Sequence, residues 1–322
     1  MPLVSASLAT ARGLRSEFND VFRVRGAQVR QQVGQIMAYW NSDGAFEVYH
    51  GYDAVPTVKP WPRGNSRARD SFNEFTYFQR NYDFNLSIEW HENDEMDDQT
   101  GQLVPRAREG GLRFAQLPLR ALVEMLSGSA SALLVEGGIP KAYDGNDLFA
   151  TGSGSRFGVV GGNIITGNGV GTVADVLEDY NNTMARFASF KDTTGTETLW
   201  DGPALQKPLV VAPYLYKKVF EEAQKAKRTH VNGGAIGASD NVWAGEFDLW
   251  LEPRLTGSDW FVFLQGSEFK TFFQQERMAL RDNMEDFSNS DRTRDTKVKA
   301  YLSDWRGAWG IWVPQTAAKV DN

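Results

Sequence analysis

From Phe78 to Trp90 the even-numbered positions Phe78, Tyr82, Phe84, Leu86, Ile88 and Trp90 are apolar, interrupted only by Arg80. The odd positions Gln79, Asn81, Asp83, Asn85, Ser87 and Glu89 are all polar. Side chains of a β-strand alternate between two faces, so the pattern predicts one half-buried strand. At ~3.3 Å per residue it would extend roughly 40 Å, about twice the common strand length. Phe46, Val48 and Tyr49 suggest an outgoing partner strand. Between the two lies PTVKPWPRGNSRARD, with three prolines, Trp61 and the cations Lys59, Arg63, Arg67 and Arg69. Proline and glycine punctuate a loop there. The expected object is a long β-ribbon over residues 46–90 with a stiff basic tip. An isolated two-stranded ribbon is marginally stable in water, so it must lie against its own sheet or against a neighbouring subunit.

A chain of 322 residues, 41% hydrophobic and 12% aromatic, can bury a sizeable core and is not a disordered protein. Zero cysteines exclude disulfides, thiolate metal sites and cysteine nucleophiles. The N-terminal sequence places Arg12 and Arg15 where a signal peptide needs its apolar stretch, so secretion is not expected. The one long uncharged run, Phe157 to Ala174, is full of Gly and Asn and would insert poorly into a membrane. The formal net charge of −7 argues against a chain that grips nucleic acid by broad phosphate neutralisation. Any nucleic acid is expected to be enclosed.

Leu8, Ala11, Leu14, Phe18, Val21 and Phe22 recur at three- and four-residue steps and predict an amphipathic helix from about Val4 to Val24. Arg12, Arg15, Arg23, Arg25 and Arg30 outnumber Glu17 and Asp20 there. That basic side reads equally as a docking arm for an acidic neighbour or as a solvated face. The acidic stretch His91 to Asp98 suits a helix start leading through Arg106 and Arg108 to Phe114. Pro118 suits the first turn of another helix, with Leu119, Leu122, Val123 and Leu126 buried and Gly128 as its stop. Residues 151–171 hold eight glycines and read as a flexible surface loop. Val173, Val176, Leu177, Tyr180, Met184 and Phe187 form a helical stripe. Leu209 to Pro213 reads as a buried strand running into a helix from Tyr216 to Lys227. The last third alternates again around Phe247, Trp260 to Leu264 and Val298 to Val313, so it is largely sheet. Residues 283–297 read as a charged loop.

Motifs for catalysis are missing. His91-Glu92 begins like a zinc-protease motif, but position 95, where the second His belongs, is Glu. The glycines of 151–171 match neither phosphate-loop spacing. A nucleophilic triad would rest on one of three isolated histidines, His50, His91 or His230. Some pair among 41 acidic residues always meets in space, so abundance alone does not argue for glycoside hydrolysis. No cofactor, metal or catalytic residue is expected, although a soluble enzyme with an atypical hairpin stays as an alternative.

Six motifs occur in an order that resembles the major head subunit family of Mu-like phages. They are Glu92-Asn93-Asp94-Glu95-Met96-Asp97-Asp98, Leu117-Pro118, Tyr143-Asp144-Gly145-Asn146-Asp147-Leu148-Phe149, Leu209-Val210-Val211-Ala212-Pro213, Phe272-Phe273-Gln274-Gln275-Glu276-Arg277, and Trp305-Arg306-Gly307-Ala308-Trp309-Gly310-Ile311-Trp312. The resemblance implies the α+β tailed-phage major capsid fold of the Hong Kong 97 type. That fold has an N-terminal arm (1–45), an extended E-loop hairpin (46–90), a spine helix with a peripheral domain (91–142), an axial domain (143–264) and a return to the peripheral sheet (265–322). The family's tip sequence is only loosely matched, at Gly51-Tyr52 and Trp61-Pro62-Arg63-Gly64.

The same resemblance implies a non-enzymatic shell protein. It would self-assemble in the host cytoplasm into hexamers and pentamers of an icosahedral virion head around double-stranded DNA. Scaffold and portal proteins, and in some phages decoration proteins, would be its partners. Assembly contacts are expected at the E-loop tip, Lys59, Trp61, Arg63, Arg67 and Arg69, and on the N-arm, Arg12, Arg15, Phe18, Phe22 and Arg23. A cellular nanocompartment shell of the same fold is the alternative within the fold. Some relatives crosslink an E-loop lysine to a neighbour's asparagine. Lys59 is the candidate lysine here, against a noncovalent basic tip.

Overall fold

The computed structural model describes residues 3–54, 73–97, 102–130, 133–134, 136–151, 155–192, 197–226, 228–230 and 238–322. Helix α1 (Leu3–Val33) outlasts its predicted end because Val29 and Val33 continue the buried stripe. Strands β1 (Met37–Asn41), β2 (Phe46–Ala54), β3 (Asn73–Arg80) and β4 (Tyr82–His91) follow, then helices α2 (Glu92–Met96), α3 (Leu103–Ala115) and α4 (Leu117–Ser127). Helix α1 packs on α3 at Gly110-Gly111. A Cβ on Gly111 would lie 2.4 Å from the carbonyl oxygen of Phe18, so only glycine permits that approach. Helix α4 carries Pro118 in its first turn and stops at Gly128, whose φ of 66° is the left-handed cap that favours glycine. The acidic stretch forms only the short α2, whose first turn carries Glu92, Asp94 and Glu95.

The second lobe begins with β5 (Ser155–Arg156), β6 (Val159–Val160) and β7 (Ile164–Thr166), followed by α5 (Val173–Ser189), β8 (Leu209–Pro213) and α6 (Lys217–Lys225). A 3-10 turn over Tyr214–Tyr216 leads into α6. Then come β9 (Arg228–His230), β10 (Ala238–Asp240), β11 (Asp248–Glu252) and β12 (Trp260–Phe263). The chain returns through β13 (Phe272–Glu285), α7 (Asp291–Thr296), β14 (Val298–Ile311) and β15 (Ala317–Asp321).

Two sheets organise the molecule. One has the order β1-β13-β14-β4 and carries α1 and α3. The other has the order β11-β8-β12-β15-β7 and carries α5 and α6. Period-two alternation sorts the second sheet between two cores. Leu209, Val211, Trp250, Phe261 and Phe263 face the core shared with α1, α3 and α4, whereas Val210, Ala212, Trp260 and Val262 face α5 and α6. All five residues of β8 are buried, as expected of a central strand covered on both faces.

Three expectations change. The strand expected from 78 to 90 is two strands, and the parity of its inward face flips between them. Tyr77 of β3 points inward at an odd position, while β4 buries Trp90 and packs Phe84, Leu86 and Ile88 inward at even positions. Asn81 makes the break. It is buried, its Nδ2 donates to Ser42 Oγ (2.8 Å) and to the Gly44 carbonyl (2.9 Å), and its Oδ1 accepts from Gln275 Nε2 (2.6 Å). Consequently β4 belongs to the four-stranded sheet, paired with β14, and the separate two-stranded ribbon is β2–β3 alone.

The glycine-rich segment is more than a surface loop: β7 is an edge of the five-stranded sheet beside β15, and Ile165 is buried. Fully buried Asn163 secures it by donating to the carbonyls of Leu148 (2.8 Å) and Ala317 (3.0 Å). Residues 283–297 are only partly loop. Strand β13 continues to Glu285, and α7 is capped by Ser290, whose side chain accepts from the Thr293 N–H.

Candidate assembly surfaces

The N-terminal arm is held to its own subunit at two points. Phe18 is fully buried between Phe114 (centroids 6.1 Å) and Tyr301 (5.1 Å). One turn earlier, Arg15 grips Asp282 of β13 through Nε (2.7 Å) and a second guanidinium nitrogen (2.9 Å). Asp282 also accepts from Asn19 Nδ2 (3.1 Å) and the Tyr301 hydroxyl (3.0 Å), so one carboxylate collects four donors. Burial alone would raise the Asp282 pKa, but the hydrogen bonds from Arg15, Tyr301 and Asn19 outweigh it and hold the group below the usual carboxylate range. Of the predicted arm contacts, Phe18 is therefore a core residue and Arg15 is engaged within the chain. Phe22 is half-buried against the same core, Arg23 is exposed, and the Arg12 side chain lies outside the described residues.

The β2–β3 ribbon has two unlike faces. Its inner face stands on an aromatic base: Trp40 stacks on Phe273 (4.4 Å), Tyr49 meets both rings, and Phe75 stacks on Tyr143 (4.2 Å) beside Trp312. The Tyr49 hydroxyl donates to Gln275 (2.8 Å), and burial pushes its pKa up to about 12, so the phenol stays neutral at physiological pH. The outer face presents Phe46, Val48 and Phe78 to solvent, at 52%, 43% and 59% exposure, with the Phe46 and Phe78 rings 5.0 Å apart. Val48 and Phe78 are direct cross-strand partners. Exposed apolar residues clustered in this way mark an interaction surface.

The predicted tip contacts Lys59, Trp61, Arg63, Arg67 and Arg69 lie outside the described residues. The sequence reading missed the exposed ribbon face because it grouped Phe78 with Phe84 on one buried side. The odd-numbered aromatics Phe75 and Tyr77 just upstream were the available signal for a change of parity.

Elsewhere the polar clusters are structural. Arg156, 4% exposed along its side chain, binds Asp144 through two nitrogens (2.8 and 3.0 Å) and donates to the carbonyls of Asp147 and Leu148. It ties the Tyr143–Phe149 turn to the second lobe. Buried Lys299 pairs with Glu95 at 2.7 Å, which fixes α2 against β14. Among the described residues no three His, Asp or Glu side chains group to hold a metal, and no helix is long and apolar enough to cross a membrane.

Comparison with known proteins places this architecture. Residues 9–163 match the family model described as the Mu-like prophage major head subunit gpT. Those residues, just under half of the chain, are similar to the Mu-like major head subunit family. No curated protein matches the chain in sequence. Among solved structures, the head subunit is similar in fold to the mature capsid of bacteriophage PhiM1, at TM-score 0.57 and 11% identity, over 90% of this chain and 86% of that one. It is similar to the capsid of cyanophage P-SCSP1u at TM-score 0.56 and 8% identity, over 88% and 85% of the two chains. The Microbacterium phage Oxtober96 structure gives TM-score 0.53 at 11% identity, over 89% and 90%. The fold is the α+β tailed-phage capsid fold. The head subunit is a major capsid protein of a tailed phage, a structural component of the virion that self-assembles into its shell.

Proposed function

We propose that this subunit assembles in the host cytoplasm into hexamers and pentamers of an icosahedral head that encloses double-stranded DNA without binding it sequence-specifically. A scaffold and a portal protein take part, decoration proteins bind in phages that carry them, and the chain performs no catalysis. The observation that carries this reading is the β2–β3 ribbon, whose outer face exposes Phe46, Val48 and Phe78. A two-stranded ribbon with apolar residues in water is stabilised by a covering surface, and in a shell that surface is another subunit. The net charge of −7 accords with enclosure of DNA rather than a phosphate grip. We assign the inter-subunit contacts to the tip cations Lys59, Arg63, Arg67 and Arg69 with Trp61. On the arm we assign them to Arg12, Phe22 and Arg23, since Phe18 and Arg15 are used inside the subunit.

Negative-stain microscopy of the expressed protein tests the reading. Closed shells are expected, and deletion of residues 56–70 should leave a folded subunit that forms few of them. A strictly monomeric wild type under all conditions, or a deletion variant whose shells form and resist heat like the parent, overturns it. Denaturing gel electrophoresis of the particles is expected to give a monomer band alone, as a noncovalent basic tip requires. A ladder of crosslinked oligomers assigns Lys59 the covalent role instead.

A further inference from the structure

A groove of about 590 Å³ opens beside the inner face of the ribbon, where Gly51 and Phe75 meet the second lobe. Its walls are aromatic, with Trp200, Trp312 and the 54%-exposed Phe269 among them; among the described residues the acidic side chains that line it are Asp192 and Glu197, and His50 lies on the same wall. Those two residues are held next to one another, because the Asp192 N–H donates to the Glu197 carbonyl (3.1 Å) and Lys191 bridges Thr198. Aromatic walls with carboxylates at one side are the chemistry that receives a proline-rich cationic peptide. Proline rings and CH groups stack on the aromatics, extended proline segments lose little entropy on docking, and Lys or Arg meets the carboxylates and ring faces.

The chain itself carries such a segment. Pro56-Thr57-Val58-Lys59-Pro60-Trp61-Pro62-Arg63 holds three prolines, two cations and no acid, and nowhere else in the sequence do three prolines fall within eight residues. The groove edge lies at Gly51 and Phe75, yet the pairing of β2 with β3 runs on to Ala54 and Asn73, roughly 10 Å further out at the strand rise. Strand β2 therefore carries the chain past its own groove before residue 56 is reached. We propose that the groove lined by Trp200, Phe269, Trp312, Asp192 and Glu197 is the receptor for residues 56–63 of a second copy of this chain. This rests on the shell reading above and gives its tip contacts an address.

Charge exchange in the full-length chain tests the proposal. D192K/E197K and K59E/R63E should each keep the wild-type circular dichroism spectrum and lower the count of shells by negative stain at least tenfold. An equal mixture of the two should restore the count, because each supplies the partner the other lacks. Absence of rescue on mixing overturns the proposal, as does full shell yield from either variant alone. A wild type that forms no shells at all would sink the shell reading instead. The groove is then judged by fluorescence anisotropy of a labelled peptide of residues 55–64 on the wild-type chain. Its affinity should fall at least tenfold with D192K/E197K, and an unchanged affinity rejects the groove.

Discussion

At the residue scale the arm depends on Asp282. Its carboxylate is 12% exposed while Arg15 is 63% exposed, so the bond is only partly shielded from solvent. D282N keeps the shape but loses the charge, and it is expected to destabilise the subunit by about 1–2 kcal/mol in chemical denaturation, at the lower side of bonds to charged groups. The pH dependence follows from the depressed pKa of Asp282. Above the unfolded value of ~3.9 the contribution is complete, and it fades as pH falls from there through the lower folded-state value. The wild-type minus D282N stability difference should therefore shrink on acidification through that window, and a pH-independent difference would remove the carboxylate from this role. Nothing in the sequence singles out Asp282, because Arg15 stands 267 positions away. Asn81 was equally silent, a polar residue in a polar register whose importance comes from Gln275, 194 positions on.

At the element scale local signals carried far. Pro118 and Gly128 bracket α4 because both act through their own backbone angles, which sequence reads directly. Strand β8 announced itself by five apolar residues, and the helical stripe from Val173 to Phe187 became α5. Where neighbours decide, sequence fell short. The parity switch at Asn81 needs Ser42 and Gly44 in place, and β7 needs β15 beside it. Two glycines show a related cross-strand dependence. Gly51 faces Phe75 and Gly310 faces Phe273 as direct partners, with each ring lying over the glycine, so that an added Cβ would come within 2.3 Å of it. G310A should therefore push Phe273 out of its stack with Trp40 and lower stability by about 2 kcal/mol, as overpacking does. An unchanged midpoint in guanidinium denaturation would show that the ring has room to move.

At the scale of the whole molecule, the ribbon separates folding from association. F46S/F78S removes two exposed rings, so the unfolding free energy of the isolated subunit should stay within the ~0.5 kcal/mol expected of surface changes while shell formation falls. Sedimentation of assembly mixtures checks it, and a variant that assembles like wild type would clear the outer face of any role. The chain crosses between the two lobes three times, once between α4 and β5, then from β12 to β13 and back from β14 to β15. The last two crossings are tied together by Leu264 N–H to Thr316 O (2.9 Å), Trp312 N–H to Thr271 O (2.7 Å) and the Thr271–Thr316 hydroxyl pair (2.7 Å). A load passed between the lobes is therefore shared by three stretches of covalent backbone, two of them laced to each other, and by the core that β8, β11 and β12 share with α1, α3 and α4.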